Sequence, residues 1–290
     1  MKNALVLGGT RLMGRHLVTE LLARGVQVTI ATRGMAADPF GDRVTRLVVD
    51  RTDGARLRQL LCGASFDVVF DSLAYCSNDV RCLLDAVHCG RYVEISTASV
   101  YEPMHLDTRE DEFDPAAGEL IWCGRDAFSY GEVKRQAERA IVQGYPAVDA
   151  ARVRFPFITG TDDYTDRLFF YVDRVVKQTP VHLTELDAQI AFIRSDEAGK
   201  FVASLGDSDF CGAVNAASTQ TISAREILAY VAQKTGKAPC LSPDGEPGSY
   251  NGLESFSLCT DRALALGAHF TPLHDWIYDL LDAYLARAGA

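Results

Sequence analysis

Several features are scarce or missing from this 290-residue sequence. No apolar run is long enough to cross a lipid bilayer, and the run at Ala4–Leu7 is too short for a secretion signal. Lys and Arg total 29 against 39 for Asp and Glu, so the formal net charge is −10. Because nucleic-acid surfaces need a basic field, this balance argues against a nucleic-acid partner. We therefore expect a cytoplasmic protein with neither a membrane nor a nucleic acid as partner.

Metal-binding and disulfide patterns are missing as well. The eight cysteines form no Cys-x-x-Cys motif, and none stands at metal-ligand spacing with one of the six histidines. The histidines themselves form no helical metal pair. Without an export signal, we expect reduced thiols that are mostly buried as small apolar side chains, and no metal site.

What the sequence does have is an ordinary globular composition, with 48% apolar and 23% charged residues. In the first half, short apolar runs alternate with stretches of helical spacing. This alternation predicts βαβ units and a doubly wound parallel sheet of the Rossmann type. The predicted strands are Ala4–Leu7, Val26–Ile30, Val44–Val49, Val68–Phe70, Tyr92–Ile95 and Val148–Val153.

The rhythm changes after about residue 155. We expect residues 1–155 to form a dinucleotide-binding domain and residues 156–290 to form mainly a smaller α/β substrate-binding lobe, with segments returning to the large sheet. The pattern predicts a helix over Asp166–Lys177 and short strands at Gln189–Ile193 and Ala213–Ala216. Ser223, with Glu226 three residues later, is a capping box that starts another helix.

The first strand leads directly into Gly8-Gly9-Thr10-Arg11-Leu12-Met13-Gly14, and a helix follows. This is the context of a dinucleotide fingerprint: Gly8 permits a tight turn, Gly14 permits close helix packing, and the amides near Leu12 and Met13 can hold a pyrophosphate. Arg11 stands where glycine is usual and places a guanidinium beside the phosphates or the adenosine ribose. A plain strand–helix turn is the alternative.

The end of the second strand bears on the choice of cofactor. NAD-binding proteins usually have an acid about 20 residues past the fingerprint, whereas this chain has Thr32 and Arg33 there. We therefore favour NADP over NAD, although a solvated loop arginine is nearly as good an explanation of Arg33. Asp50 and Arg51 end the third strand, where an acid could accept from the adenine amine, and a surface turn is an equal alternative.

Three residues form a candidate catalytic set. Thr97 lies at the end of the fifth predicted strand, and Tyr130 and Lys134 are spaced i, i+4 on a predicted helix. A nearby ammonium stabilises a phenolate, and hydride transfer to a carbonyl needs such a proton donor and acceptor. Thr97 could orient the same substrate oxygen. The alternative is an ordinary amphipathic helix with a surface lysine.

Taken together, these motifs resemble the extended short-chain dehydrogenase/reductases of the NAD(P)-dependent epimerase/dehydratase superfamily. The resemblance is carried by the glycine turn, Asp50-Arg51, Ser96-Thr97-Ala98-Ser99-Val100-Tyr101, Tyr130-Gly131-Glu132-Val133-Lys134 and Arg154-Phe155-Pro156. It implies that Tyr130 is the acid/base, that Lys134 also holds the nicotinamide ribose, and that Thr97 binds the substrate oxygen. It also assigns Leu73, Ala74, Ser96 and Pro156 to the cofactor side. A homodimer is left open, since helices of this family often pair.

Departures from the family pattern narrow the chemistry. Ala98 and Ser99 stand where related dehydratases have carboxylates, and Ser99 also replaces the decarboxylase glutamate, so elimination and decarboxylation are not favoured. An epimerase and a carbonyl reductase fit equally well, acting on a secondary alcohol or ketone, with a nucleotide sugar among the candidates. The Gly-Gly-Thr-Arg variant resembles an atypical branch that includes chloroplast RNA-binding proteins. A non-catalytic NAD(P)-binding regulatory or RNA-associated protein is therefore the alternative function.

Overall fold

The structure, a computed structural model, describes all 290 residues. Its strands are β1 Asn3–Leu7, β2 Gln27–Thr32, β3 Val44–Val48, β4 Ser65–Asp71, β5 His88–Thr97, β6 Ala150–Phe155, β7 Phe157–Thr159, β8 Val181–His182, β9 Gln189–Ile190, β10 Phe192–Arg194, β11 Gly212–Asn215, β12 Ile222–Ser223 and β13 Glu246–Pro247. Its α-helices are α1 Leu12–Ala23, α2 Gly54–Leu61, α3 Ser77–Leu84, α4 Tyr130–Arg139, α5 Arg167–Lys177, α6 Ser195–Leu205, α7 Ala224–Thr235, α8 Asp261–Ala265 and α9 Ile277–Ala288.

Seven parallel strands form the central sheet in the order β3-β2-β1-β4-β5-β6-β11. Helices cover both faces, so the inner strands are buried on both sides and have nearly continuous apolar sequences. The predicted Rossmann-type fold is confirmed, and all six predicted strands are present with ends shifted by a few residues. The strand order reverses between β1 and β4, which opens a crevice at the carboxyl ends of the strands.

Each face of the sheet has its own apolar core. One core includes Leu17 of α1 and Val202 of α6, and the other includes Leu57 of α2, Val80 of α3 and Ala137 of α4. Strand β11 is therefore part of the large sheet and helix α6 packs against it, although both follow residue 156.

The second lobe is held by a third core, in which α5, α7 and α9 pack through residues such as Val172, Val231 and Leu281. The capping box is present, since Ser223 Oγ accepts from the Glu226 amide at 3.2 Å. The single strand expected over 189–193 is two short strands. The chain changes partner at the buried Ala191, because β9 pairs with β12 and β10 pairs with β7.

All eight cysteines are free. Only Cys76, Cys123 and Cys259 are buried, and Cys62 and Cys211 are exposed. The prediction that most of the cysteines are buried is therefore wrong. None of the helices is both long and apolar enough to span a bilayer.

Candidate active site

A cleft of about 950 Å³ lies where the carboxyl ends of the sheet strands meet the second lobe. Its volume is in the range typical of small-molecule sites. Every site residue predicted from the sequence lines this one cleft: Gly8, Thr10, Arg11, Leu12, Met13, Gly14, Arg33, Asp50, Arg51, Leu73, Ala74, Ser96, Thr97, Tyr130, Lys134 and Pro156.

The glycine turn has the geometry that its sequence implies. Gly8 and Gly9 have φ values of +97° and +91°, a region that L side chains rarely adopt. A Cβ on Gly14 would lie 3.0 Å from both the Cα and the backbone N of Gly9. The first turn of α1 can therefore approach the end of β1 closely only because these positions carry no side chain.

The N-terminus of α1 faces the cleft without a cap. The helix begins at Leu12, the side chain of Arg11 caps no amide, and the first turn has no acidic residue. The amides of Leu12, Met13 and Gly14 have no acceptor within the protein. Uncapped amides and the positive end of the helix dipole make such a terminus a site for an anionic group such as a phosphate.

Arg11 and Arg33 are exposed residues at the cleft and take part in no salt bridge within 4.0 Å. The Arg11 guanidinium lies 4.7 Å from the centre of the Tyr164 ring, which belongs to the second lobe. Arg11 therefore connects the glycine turn with the opposite wall of the cleft.

The two predicted residues at the end of the third strand differ in their surroundings. Asp50 is exposed and accepts from the Thr52 amide and hydroxyl at 2.9 and 2.7 Å, bonds that lower its pKa. Arg51 is buried, and its guanidinium pairs with Asp71 and, at 3.2 Å, with Asp79. The Arg51 guanidinium is thus committed to an internal ion-pair network, so the surface-turn alternative does not hold for Arg51, and its assignment to cofactor binding stays a prediction.

The hydroxyl groups at the end of β5 point to different partners. Thr97 Oγ1 accepts from the Ser99 amide at 3.2 Å and lies 3.3 Å from Ser99 Oγ, at the cleft. Ser96 Oγ donates to the buried Glu138 carboxylate at 2.6 Å. Thr97 is therefore placed to meet a ligand, whereas the Ser96 hydroxyl is already used inside the protein.

Tyr130 is the first residue of α4, and Ser129 caps the helix by accepting from the Glu132 amide. The Tyr130 side chain is 51% exposed and opens onto the cleft. Its ring centre lies 6.4 Å from that of Tyr75, whose own ring is covered by the Arg125 guanidinium at 4.6 Å.

Lys134 lies one helical turn further along α4, and its side chain is only 4% exposed. The ammonium donates to the Ala74 carbonyl at 2.7 Å, to the Ile95 carbonyl at 2.8 Å and to Glu94 Oε1 at 3.2 Å. Burial lowers the pKa of Lys134, but Glu94, together with Tyr130 and Glu138, outweighs burial, and the net pKa is raised. Lys134 is therefore a charged group under the cleft surface.

Sequence reasoning missed Glu94, Tyr75 as a partner of Tyr130, and Arg125. Glu94 did carry a signal, because an acid between Val93 and Ile95 in a central strand has to be buried and needs a cationic partner. Arg125 lies in a loop with no motif, and only the fold brings it to Tyr75.

Several known proteins resemble this chain in sequence or in fold. The sequence profile of the NAD-dependent epimerase/dehydratase family matches residues 4–84. The chain is 31% identical over 164 residues to dTDP-6-deoxy-L-talose 4-dehydrogenase (NAD(P)(+)) of Kitasatospora kifunensis, a match that covers 51% of this chain and 48% of that protein. It is also 31% identical over 131 residues to the chloroplast stem-loop binding protein of 41 kDa b of Arabidopsis thaliana, covering 39% of this chain and 34% of that one.

The profile match is confined to residues 4–84, and the family it describes is the one that the motifs resemble. The matched segments span about half of the first relative and a third of the second. Among solved structures, UDP-glucose 4-epimerase of Thermus thermophilus, in complex with NAD, superposes with a TM-score of 0.71 at 21% identity, covering 97% of this chain and 98% of that one. At that identity the likeness shows the shared fold.

Proposed function

We propose that this chain is an NAD(P)-dependent oxidoreductase or epimerase that moves hydride to and from a secondary alcohol or ketone. One observation carries the proposal: Thr97, Tyr130 and Lys134 line the same cleft as an uncapped glycine turn. The bound dinucleotide would supply the hydride acceptor and donor, which no side chain provides. The match of residues 4–84 to the NAD-dependent epimerase/dehydratase profile supports the same cofactor class.

The side chains divide the remaining work among them. Tyr130, half-exposed at the cleft, takes the hydroxyl proton of the substrate or returns it to the carbonyl. Lys134, four residues later on the same helix, supplies a fixed positive charge that favours the phenolate. Thr97 Oγ1 orients the substrate oxygen. Ala98 and Ser99 offer no additional acid for elimination, so the set suits reduction or epimerisation.

The cleft fits a dinucleotide on the evidence of its own atoms. The positive φ values of Gly8 and Gly9 and the packing of Gly14 bring the backbone close to the ligand path. The free amides of Leu12 and Met13 would hold the pyrophosphate, with Leu73 and Ala74 lining the cleft beside the glycine turn. A larger side chain at any of these glycines would occupy that path or displace α1.

The charge distribution favours an anionic substrate. Arg11, Arg33 and Arg167 line the cleft without a salt-bridge partner, and Asp50 is the one acid in its lining. Arg167 lies at the second-lobe end, where its guanidinium stands 5.3 Å from the Phe157 ring. A nucleotide sugar has both a phosphate for such an arginine and an aromatic base, and the names of the Kitasatospora and Thermus proteins specify nucleotide sugars. We therefore propose a nucleotide sugar as the substrate.

Arg33 supports a preference for NADP. It follows β2 at the adenosine end of the cleft, where it could pair with a 2′-phosphate, and Thr32 and Arg33 replace the acid that usually ends this strand in NAD-binding proteins. Arg33→Ala should weaken NADP binding at least tenfold and leave NAD binding nearly unchanged, measured by calorimetric titration of both cofactors. Equal losses for the two cofactors contradict the assignment.

The activity is tested by measuring cofactor oxidation or reduction across a panel of nucleotide sugars and simple ketones. Tyr130→Phe should lower kcat by roughly 10²- to 10⁴-fold while the dinucleotide Kd stays the same. Tyr230→Phe, in the second lobe and hydrogen-bonded to Asp282, is the matched control and should keep full turnover. Turnover that survives Tyr130→Phe overturns the catalytic assignment.

The similarity to the Arabidopsis protein supports one other candidate, a dinucleotide-binding protein that also binds structured RNA. A gel-shift titration with a hairpin RNA, with and without NADP, separates the two proposals. Hairpin affinity without turnover on any substrate favours the second candidate, and turnover without hairpin affinity favours the first. The homodimer expected from the family resemblance remains a prediction.

A further inference from the structure

Glu94 is a wholly buried carboxylate in β5, three residues before Thr97. Its Oε1 accepts from Lys134 Nζ at 3.2 Å, and its Oε2 is buried with no hydrogen-bond partner. Burial raises the pKa of Glu94, and the neighbouring Lys134 opposes that rise. A carboxylate in such a place costs stability unless it has a cationic partner.

Lys134 has used all its donors inside the protein. An ammonium has three N–H groups, and these donate to the Ala74 carbonyl, the Ile95 carbonyl and Glu94. Two of the three acceptors are backbone atoms at the ends of β4 and β5, which the fold fixes. Glu94 is the one acceptor that is a side chain and the one that carries charge.

We propose that Glu94 is a positioning residue: it holds the Lys134 ammonium in its buried place and sets the net charge that Tyr130 faces. The inference rests on the proposed function, since it concerns proton transfer at Tyr130. The carboxylate partly neutralises the ammonium, so the phenolate of Tyr130 is stabilised less than it would be by Lys134 alone.

Other charged or titratable groups face these residues and stay in place during the test. Glu138 of α4, Arg152 of β6 and Tyr92 of β5 surround Glu94. Tyr130 faces Lys134 on its own helix and Tyr75 from the loop after β4. A change of charge at Glu94 alone therefore isolates its effect.

The first experiment is the pH profile of kcat for Glu94→Gln in the alcohol-oxidising direction. The amide oxygen can still accept from Lys134, but the negative charge is gone. The acid limb should move to lower pH by about one unit, the order of effect expected when one nearby charge is removed at an effective dielectric constant near 20. Glu110→Gln is the control: it removes another buried carboxylate, which accepts from the backbone N–H of Asn215 at 2.9 Å. This substitution should leave the acid limb of the pH profile unchanged.

The second experiment needs no substrate. The other five lysines (Lys2, Lys177, Lys200, Lys234 and Lys237) are exposed, so ¹H–¹⁵N spectra of lysine ammonium groups should show a single slowly exchanging signal, which Lys134→Met removes. Glu94→Gln should speed the proton exchange of that signal at least tenfold, and Glu110→Gln should not.

The outcomes distinguish a failure of the role proposed for Glu94 from a failure of the proposed function. An unchanged acid limb in Glu94→Gln, or an ammonium signal as protected as in the wild type, overturns the role of Glu94. A loss of thermal stability with an unmoved acid limb assigns Glu94 a merely structural role and also overturns it. A wild-type protein with no turnover overturns the proposed function, and the ammonium signal then still decides whether Glu94 holds Lys134.

Discussion

Arg154 forms the most heavily hydrogen-bonded buried ion pair in the protein, next to the strand that carries Thr97. Its side chain is 0% exposed, and it contacts both Glu138 oxygens, at 2.9 and 2.7 Å. It also donates to the Tyr101 hydroxyl and to the carbonyls of Glu110 and Phe113 at 2.8 to 3.1 Å. Arg154→Met keeps much of the volume and removes every one of these donors.

The expected loss of unfolding free energy depends on the groups that remain around Glu138 in Arg154→Met. Removing one partner of a buried pair costs about 3–5 kcal/mol, because the other charge stays buried. Arg152 remains 3.3 Å from Glu138 and Ser96 still donates to it, so we expect the lower end, about 3 kcal/mol. With a urea m-value near 3 kcal/mol/M, the unfolding midpoint should fall by about 1 M at pH 8.

The same loss should depend on pH. Burial raises the pKa of Glu138, but Arg154 outweighs burial and leaves it lowered. The pair therefore stabilises the wild type above the unfolded pKa of about 4.3, and this contribution is lost as the pH falls through the native pKa. In Arg154→Met burial dominates, the native pKa rises above the unfolded value, and the penalty grows as the pH rises. The difference between the two proteins should thus be smaller at pH 5 than at pH 8.

Urea unfolding followed by circular dichroism at both pH values is the assay. Adding Glu138→Gln to Arg154→Met removes the unpaired charge and should recover at least half of the lost stability. A midpoint shift below roughly 0.3 M at pH 8, or an equal shift at pH 5, would refute the reasoning.

Two further predictions concern the glycine turn and its link to the second lobe. Gly9→Ala would place a Cβ 3.0 Å from Val18 Cγ2 at a φ of +91°, so the dinucleotide affinity measured by calorimetry should fall at least tenfold. Gly25→Ala is the control, because Gly25 also has a positive φ, +76°, but a Cβ there would meet no atom within 4 Å. It should lower the stability of the protein and leave the dinucleotide affinity unchanged. Asp162, although half-buried, has its pKa lowered to about 2 by hydrogen bonds from His16 and Ser195. Asp162→Asn should therefore lower the Tm at pH 7. The difference in Tm between wild type and variant, measured by scanning calorimetry, should shrink as the pH falls from about 4 to about 2. A Tm difference that does not change with pH contradicts this prediction.

The fold was predictable from the sequence because buried parallel strands have a distinctive pattern. The apolar run Ala4-Leu5-Val6-Leu7, directly before a glycine turn, is typical of a strand buried on both faces, and it forms β1, inside the sheet between β2 and β4. It was also predictable that the candidate site residues would line one cleft, because the carboxyl ends of parallel strands lie at the same edge of the sheet. The break in the strand at Ala191 was not predictable, because residues 190–193 are all apolar and the change of partner depends on two other segments.

The charge pairs explain what sequence reasoning could not supply. Arg51 looks like a cofactor ligand from its place after β3, yet its partner Asp71 lies 20 residues further along the chain. Lys134 and Glu94 are 40 residues apart, and Ser96 and Glu138 are 42 apart. A motif gives the position of each group along the chain, whereas the partner is decided by the order of the strands in the sheet and by the packing of α4 on it. The motifs therefore lead to residues that line one cleft, but the bonding partners of each side chain could not be derived from them.

The pairing of Lys134 also bears on what this residue contributes. To donate to a ribose hydroxyl, the ammonium would have to give up one of its three present bonds, so the net gain in dinucleotide affinity is small. Its charge, in contrast, is fixed in place before any ligand arrives, and a preorganised charge near a reacting group needs no rearrangement during the reaction. Replacement of Lys134 should therefore affect kcat much more than dinucleotide Kd. The buried pairs beneath the cleft thus belong to the chemistry as well as to the fold, because they hold in position the charge that Tyr130 meets.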